Sequence, residues 1–106
     1  MTKYLFESNY VGDGITGLMR EGGTSRRDAV VEALKSVGGT LESFYFAFGE
    51  VDCVGIIDVP EQANAAALSL LINSTGTVKV HMKPLMTPED LDAAAKVTPS
   101  YRAPGQ

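Results

Sequence analysis

The chain has 106 residues, of which 44% are hydrophobic, and its formal net charge is -4 at pH 7. These values indicate one domain with a hydrophobic core, and they argue against the basic surface that nucleic acid or an anionic membrane would require. The chain contains one cysteine, Cys53, and no apolar run long enough to span a bilayer. We therefore predict a cytoplasmic protein without disulfides.

Apolar periodicity, interrupted by glycine and proline, predicts four strands, two main helices and two shorter helical segments. The predicted elements, in chain order, are a strand at 3–10, a short helical turn at 15–20, a helix from Thr24 or Ser25 to Gly38, strands at 40–48 and 51–59, a helix at 61–74, a strand at 77–86 and a helix at 89–96. Residues 98–106, which contain two prolines, are predicted to be an extended tail after a domain at 1–97.

The main helix is predicted to be amphipathic. Its apolar side carries Ala29, Val30, Ala33, Leu34 and Val37, and its polar side carries Arg26, Arg27, Asp28, Glu32 and Lys35. Thr24 or Ser25 is expected to cap its start, and Gly38-Gly39 is expected to end it with a left-handed residue.

The segment 44–57 predicts a β-hairpin with a two-residue turn at Gly49-Glu50, in which Gly49 suits the first central position of a type II′ turn. This turn places Phe48 opposite Val51, Phe46 opposite Cys53 and Phe44 opposite Gly55. Ser43, Tyr45 and Ala47 then share the reverse face with Val54 and Ile56. Both faces of the hairpin are therefore predicted to be apolar.

The element order β-α-β-β-α-β predicts an α+β, ferredoxin-like fold, with a four-stranded antiparallel sheet and a short C-terminal helix. In such a fold both main helices cover the same face of the sheet. The other face, which is also apolar here, would remain in water in a monomer. We therefore predict that the chain is its own partner, as a homodimer or higher oligomer packed through the open sheet face.

Several linked segments resemble the GYD domain family. They are Glu-Gly-Gly-Thr-Ser-Arg-Arg at 21–27, Val-Gly-Gly at 37–39, the stretch 41–52, Pro-Leu-Met-Thr-Pro-Glu at 84–89 and Tyr-Arg-Ala-Pro-Gly at 101–105. Gly49 and Asp52 match the signature for which the family is named, whereas Val51 stands where its tyrosine is expected. The resemblance implies a ferredoxin-like domain of the dimeric α/β-barrel type, and it implies no particular activity.

Few residues indicate chemistry. His81 is the one histidine and is therefore the default general base, although it shares a strand face with Lys79 and Lys83 that is equally compatible with plain solvent exposure. No second histidine or cysteine lies at ligand spacing, so we predict no metal and no cofactor. Cys53 is expected to act as a small hydrophobic residue. Asp52 could act as a base, but an acid at the start of a strand more often bonds amides or a cation such as Arg26 or Arg27.

Three functional hypotheses remain open. The first is a dimeric module that binds a small apolar or aromatic molecule near Tyr4, Tyr45, Phe46 and His81. The second is a cofactor-free enzyme of the dimeric α/β-barrel kind, such as a monooxygenase or isomerase, with His81 as base and Tyr45 or Asp52 orienting the substrate. The third is a purely structural assembly module.

Overall fold

The computed structural model describes residues 1–47 and 49–106, and within them it contains four strands and four helices. The elements are β1 (Thr2–Tyr10), α1 (Gly14–Glu21), α2 (Gly23–Lys35), β2 (Thr40–Phe46), β3 (Cys53–Val59), α3 (Gln62–Ser74), β4 (Val78–Pro84) and α4 (Pro88–Ala95). The short turn predicted near 15–20 is a helix of eight residues. None of the helices in this part of the chain is long and apolar enough to cross a membrane.

The strands form one antiparallel sheet in the order β2-β3-β1-β4. This order places the first and third strands in the middle of the sheet, as the ferredoxin-like fold requires. The predicted fold class is therefore confirmed, with α1 as an additional helix between β1 and α2.

The β2–β3 hairpin has the predicted register, with Phe46 opposite Cys53 and Phe44 opposite Gly55. The backbone amide of Ala47 donates to the carbonyl of Asp52 at 2.9 Å, which continues the pairing toward the turn. The predicted pairing of Phe48 with Val51 lies outside the described residues.

Helix α2 begins earlier than predicted, so the expected cap at Thr24 or Ser25 is wrong. The N-cap is Gly22, whose φ of 91° is readily accessible to glycine, and no side chain caps the helix. Because Gly22 turns the chain directly from α1 into α2, the helix already includes Gly23. The predicted C-terminal stop is confirmed: Gly38 has a φ of 75°, and the amide of Gly39 donates to the carbonyl of Leu34 at 2.8 Å.

Helices α2 and α3 cover one face of the sheet and form the hydrophobic core with it. Leu34 of α2 and Leu68 of α3 are buried against this face. The aromatic rings of Phe6 and Phe44 lie 5.9 Å apart between centroids, and Phe44 meets Phe46 edge to face at 5.2 Å. The core therefore contains a row of aromatic rings that runs toward the β2 edge.

The opposite side of the sheet, here called the open face, carries both apolar and charged side chains on its central strands β3 and β1. Leu5, Val54 and Ile56 are half-buried there, and Tyr45 is 68% exposed. Ion pairs on this face join Lys83 to Glu7 at 2.7 Å, and Lys3 to both Asp58 and Glu42 at 2.9 Å. The predicted apolar character of this face is thus confirmed for Val54 and Ile56 of the hairpin, whereas β1 contributes Lys3 and Glu7 to it beside Leu5.

Residues 85–106, here called the C-terminal arm, are all exposed. Thr87 caps helix α4 within the arm, as part of a capping box with Asp90. The radius of gyration of the chain is 16.8 Å, whereas a compact domain of this length has about 13 Å. The arm thus extends away from a compact body.

Candidate functional site

The residues predicted to bind a ligand lie on two different faces of the sheet. Tyr4 is buried on the helix-covered face, and Phe46 packs near Gly23 on that same side. Tyr45 and His81 are exposed on the open face. The four side chains therefore do not line one pocket within a single chain.

Tyr45 and His81 also lie at opposite edges of the sheet. Strand pairing places Tyr45 beside Val54, Val54 beside Glu7 and Glu7 beside His81. Three steps between neighbouring strands separate the backbones of Tyr45 and His81 by about 14 Å. A site that used both side chains at one atom would therefore need a contribution from a second chain.

Asp52 has a structural hydrogen bond rather than an ion pair among the described residues. Its Oδ2 accepts a hydrogen bond from the backbone amide of Tyr10 at 3.0 Å, and its own amide donates to the carbonyl of Ser8 at 2.9 Å. These two bonds continue the contact of β3 with β1 beyond their last paired residues. A catalytic role for Asp52 stays a prediction.

A cavity of about 40 Å³, here called the inner cavity, lies between the sheet and helices α2 and α3. This volume exceeds the roughly 10–15 Å³ that one water molecule needs. Ten of its lining residues are apolar: Phe6, Val30, Leu34, Phe44, Ile57, Leu68, Ile72, Val78, Val80 and Met82. The inner cavity can therefore hold a small apolar group, and none of Tyr4, Tyr45, Phe46 and His81 lines it.

The four remaining lining residues are Ser8, Tyr10, Arg26 and Cys53. Ser8 and Cys53 are direct cross-strand partners, and Tyr10 follows Ser8 by two residues, so strand alternation places all three on the helix-covered face. Arg26 reaches this group from the first turns of α2. An apolar cavity with a few polar groups is the usual composition of a small-molecule site.

Arg26 is the least satisfied side chain of this group. Its Nε is buried, and among residues 1–47 and 49–106 it has no hydrogen-bond partner and no carboxylate that forms an ion pair with the guanidinium. The neighbouring Arg27, by contrast, is exposed and lies 3.8 Å from a carboxylate oxygen of Asp28. The two consecutive arginines thus have different environments.

Burial controls the protonation of the two acidic groups near Arg26. Burial raises the pKa of the Cys53 thiol from 9.0 to about 11, although the positive charge of Arg26 acts in the opposite direction. Burial likewise raises the pKa of the Tyr10 phenol, again against the effect of Arg26. Both groups are therefore protonated at neutral pH, so Cys53 is a poor nucleophile and Tyr10 is a hydrogen-bond donor.

A second depression, here called the outer cleft, adjoins this polar group on the side of α1. Its volume is about 160 Å³, and it shares Tyr10, Arg26 and Val78 with the inner cavity. Asp13 and Glu21 also line the outer cleft. Arg26 and Tyr10 thus stand at the boundary between an apolar interior and a cleft that carries acidic residues.

Sequence reasoning missed Arg26 and Tyr10, and it placed Arg26 on the polar side of α2. That assignment is wrong, because Arg26 precedes Val30 by four residues and Ala33 by seven, a spacing that puts it on the sheet-facing side. The alternation of Tyr4, Phe6 and Ser8 likewise extends to Tyr10. Helical and strand periodicity therefore indicate that Arg26 and Tyr10 face the core, but the charge of Arg26 favoured its assignment to the polar side of α2.

The described part of the chain contains no cluster of three or more histidine, cysteine, aspartate or glutamate side chains arranged to hold a metal ion.

Comparison with protein-family models gives a match to the GYD domain over residues 4–95. Searches of curated proteins and of solved structures give no significant match.

Proposed function

The chain belongs to the GYD domain family, and we propose that it is a dimeric module that holds a small, largely apolar molecule between its sheet and its helices. The observation that carries this proposal is the inner cavity, an apolar space with polar groups gathered at Ser8, Tyr10, Arg26 and Cys53. Its size favours a ligand of few heavy atoms. A purely structural module has no need of such a cavity, which favours binding over that alternative.

The test is a thermal-unfolding screen with small apolar molecules, applied to three proteins. Val30→Phe introduces a phenyl ring at a half-buried residue that lines the inner cavity from α2. Leu70→Phe is the control, because Leu70 lies on α3 and is 74% exposed. A ligand at about 100 times its Kd adds about 2.7 kcal/mol to the free energy of unfolding, which raises Tm by about 10 °C or more in a domain of this size.

We expect the same rise in Tm for the wild type and Leu70→Phe, and little or no rise for Val30→Phe. Absence of any ligand-dependent rise in the wild type, across aliphatic and aromatic molecules, contradicts the proposal. An equal rise in Val30→Phe shows that the ligand binds elsewhere.

Two features support the dimeric part of the proposal. The open face presents Leu5, Tyr45, Val54 and Ile56 to solvent in a single chain, and burying a few hundred Å² of such surface stabilises an assembly by several kcal/mol at roughly 25 cal/mol per Å². The C-terminal arm adds Leu91, which is 61% exposed on a well-capped helix. Sedimentation analysis at micromolar concentration tests the assembly, and a monodisperse monomer contradicts it.

The alternative of a cofactor-free monooxygenase or isomerase with His81 as base makes a different prediction. His81 is exposed on the open face, whereas the inner cavity lies on the other side of the sheet. His81→Ala should therefore leave ligand binding at the cavity unchanged. Loss of turnover in this variant, with binding retained, would support the enzymatic alternative.

A further inference from the structure

We infer that Arg26 and Tyr10 bind the carboxylate of a short-chain monocarboxylic acid whose apolar body enters the inner cavity. This inference rests on the proposed function and names the chemical class of its ligand. The buried Nε of Arg26 has no hydrogen-bond partner among residues 1–47 and 49–106. A guanidinium group has five N–H donors in a planar fork that matches a carboxylate, so this ligand group satisfies the side chain best.

Tyr10 supplies a second donor beside Arg26. The two residues line the inner cavity together, and they also line the outer cleft together, so both lie at the junction of the two spaces. A protonated phenol donates a hydrogen bond and accepts one, whereas a guanidinium only donates. A carboxylate at this junction can therefore accept from both side chains at once.

Charge around the junction limits the ligand to a single negative charge. Glu21 and Asp13 line the outer cleft, and Asp52 lies close by through its bond to the backbone amide of Tyr10. These carboxylates oppose a second anionic group, and the chain as a whole has a net charge of -4. A dicarboxylate or inorganic phosphate is therefore disfavoured relative to a monocarboxylate.

The lining and volume of the inner cavity determine the chemical character and size of the rest of the ligand. Val30, Leu68 and Val80 line it with Phe6, and none of these side chains can hydrogen-bond. Additional polar groups on the ligand would have no hydrogen-bond partners among these side chains, which is unfavourable. An aliphatic chain of a few carbons satisfies both the apolar lining and the volume of about 40 Å³.

The experiment is titration calorimetry of the full chain with butyrate, valerate and hexanoate, and with the corresponding primary alcohols. Inorganic phosphate and succinate serve as anion controls. The variants are Arg26→Gln, which removes the charge, and Arg27→Gln, which makes the same change at the next residue of the same helix. Circular dichroism and thermal unfolding establish that each variant is folded.

We expect the acids to bind more tightly than the alcohols, and phosphate and succinate to bind weakly or not at all. Arg26→Gln should weaken acid binding about tenfold or more, since it removes a hydrogen bond between charged groups, and it should leave alcohol binding nearly unchanged. Arg27→Gln should bind the acids like the wild type. If Arg26→Gln does not fold, Arg26→Lys and Tyr10→Phe take its place, and each should weaken acid binding severalfold.

The titrations distinguish failure of the carboxylate inference from failure of the proposed function. Equal binding of acids and alcohols, with no effect of a folded Arg26 variant, overturns the carboxylate inference and leaves the proposed apolar site intact. Absence of binding by both acids and alcohols overturns the inference together with the proposed function. Tighter binding of phosphate than of butyrate also overturns the inference, because it shows that the junction selects charge rather than an apolar acid.

Discussion

The substitution Gly55→Ala tests the packing that positions the inner cavity. Gly55 lies on β3 directly opposite Phe6 of β1 and Phe44 of β2. A methyl group at Gly55 would lie 2.5 Å from Cε2 and 2.7 Å from Cζ of Phe6, and it would also approach the backbone carbonyl of Ser43. The absence of a side chain at Gly55 therefore makes room for the ring of Phe6.

The magnitude follows from these distances. Carbon atoms in contact prefer a separation of about 3.5–4.0 Å, so the ring of Phe6 must move by about 1 Å, and β3 must also move away from the Ser43 carbonyl of β2. Such overpacking usually costs about 1–3 kcal/mol. Alanine recovers about 0.5–1 kcal/mol of this because it has less conformational freedom than glycine in the unfolded chain. We expect a net decrease of about 1–2 kcal/mol in the free energy of unfolding.

Urea unfolding at a fixed protein concentration measures this change. The control is Gly17→Ala on α1, where an added methyl group meets no atom within 4 Å; it should raise stability by about 0.5–1 kcal/mol. A Gly55→Ala protein as stable as the wild type would refute the packing described for Phe6. Because Phe6 lines the inner cavity, Gly55→Ala should also weaken ligand binding.

Three further predictions concern protonation and assembly. Burial raises the pKa of the Cys53 thiol from 9.0 to about 11, so the unfolded chain loses the thiol proton at a lower pH than the folded chain does. The contribution of the buried thiol to the free energy of unfolding is therefore full below about pH 9 and falls by roughly 2 kcal/mol toward pH 11. Urea unfolding across this pH range should show a steeper decline for the wild type than for Cys53→Ala, and parallel curves would contradict the assignment. Ile56→Glu places a charge in the middle of the open face, so its sedimentation coefficient should be that of a monomer, whereas a retained dimer would exclude this face as the interface. Truncation after Met86 removes α4, which is exposed in a single chain; it should weaken the dimer and leave the remaining circular dichroism intact, and an unchanged dimer would show that the arm contributes nothing.

The fold could be predicted from the sequence because its local signals agree with one another. The two-residue turn expected at Gly49-Glu50 predicted the register of Phe44 and Phe46 against β3, and the Gly38-Gly39 pair predicted the end of α2. The start of α2 could not be predicted from capping preferences, because Gly22 with its positive φ replaces a side-chain cap. The length of α1 was underestimated because Gly14 and Gly17, both poor helix formers, lie within it.

The candidate site was much harder to predict, because its residues come together only through tertiary packing. Arg26 reaches Tyr10 from a different element, and its position in the first turns of α2 resembles that of any solvated arginine. His81 and Tyr45 were predicted as site residues because of their residue types, but residue type does not specify which face of a sheet is covered by helices. Helices α2 and α3 pack on the face that carries Phe6 and Ser8, which leaves Tyr45 and His81 on the uncovered face.

The most direct test of a binding site between sheet and helices is a high-resolution crystal structure of the full chain purified from cells and crystallised with butyrate. We expect electron density for the acid in the inner cavity, with its carboxylate at Arg26 and its chain beside Phe6 and Val30. A cavity closed by these side chains, or acid bound only on the outer surface, would contradict it.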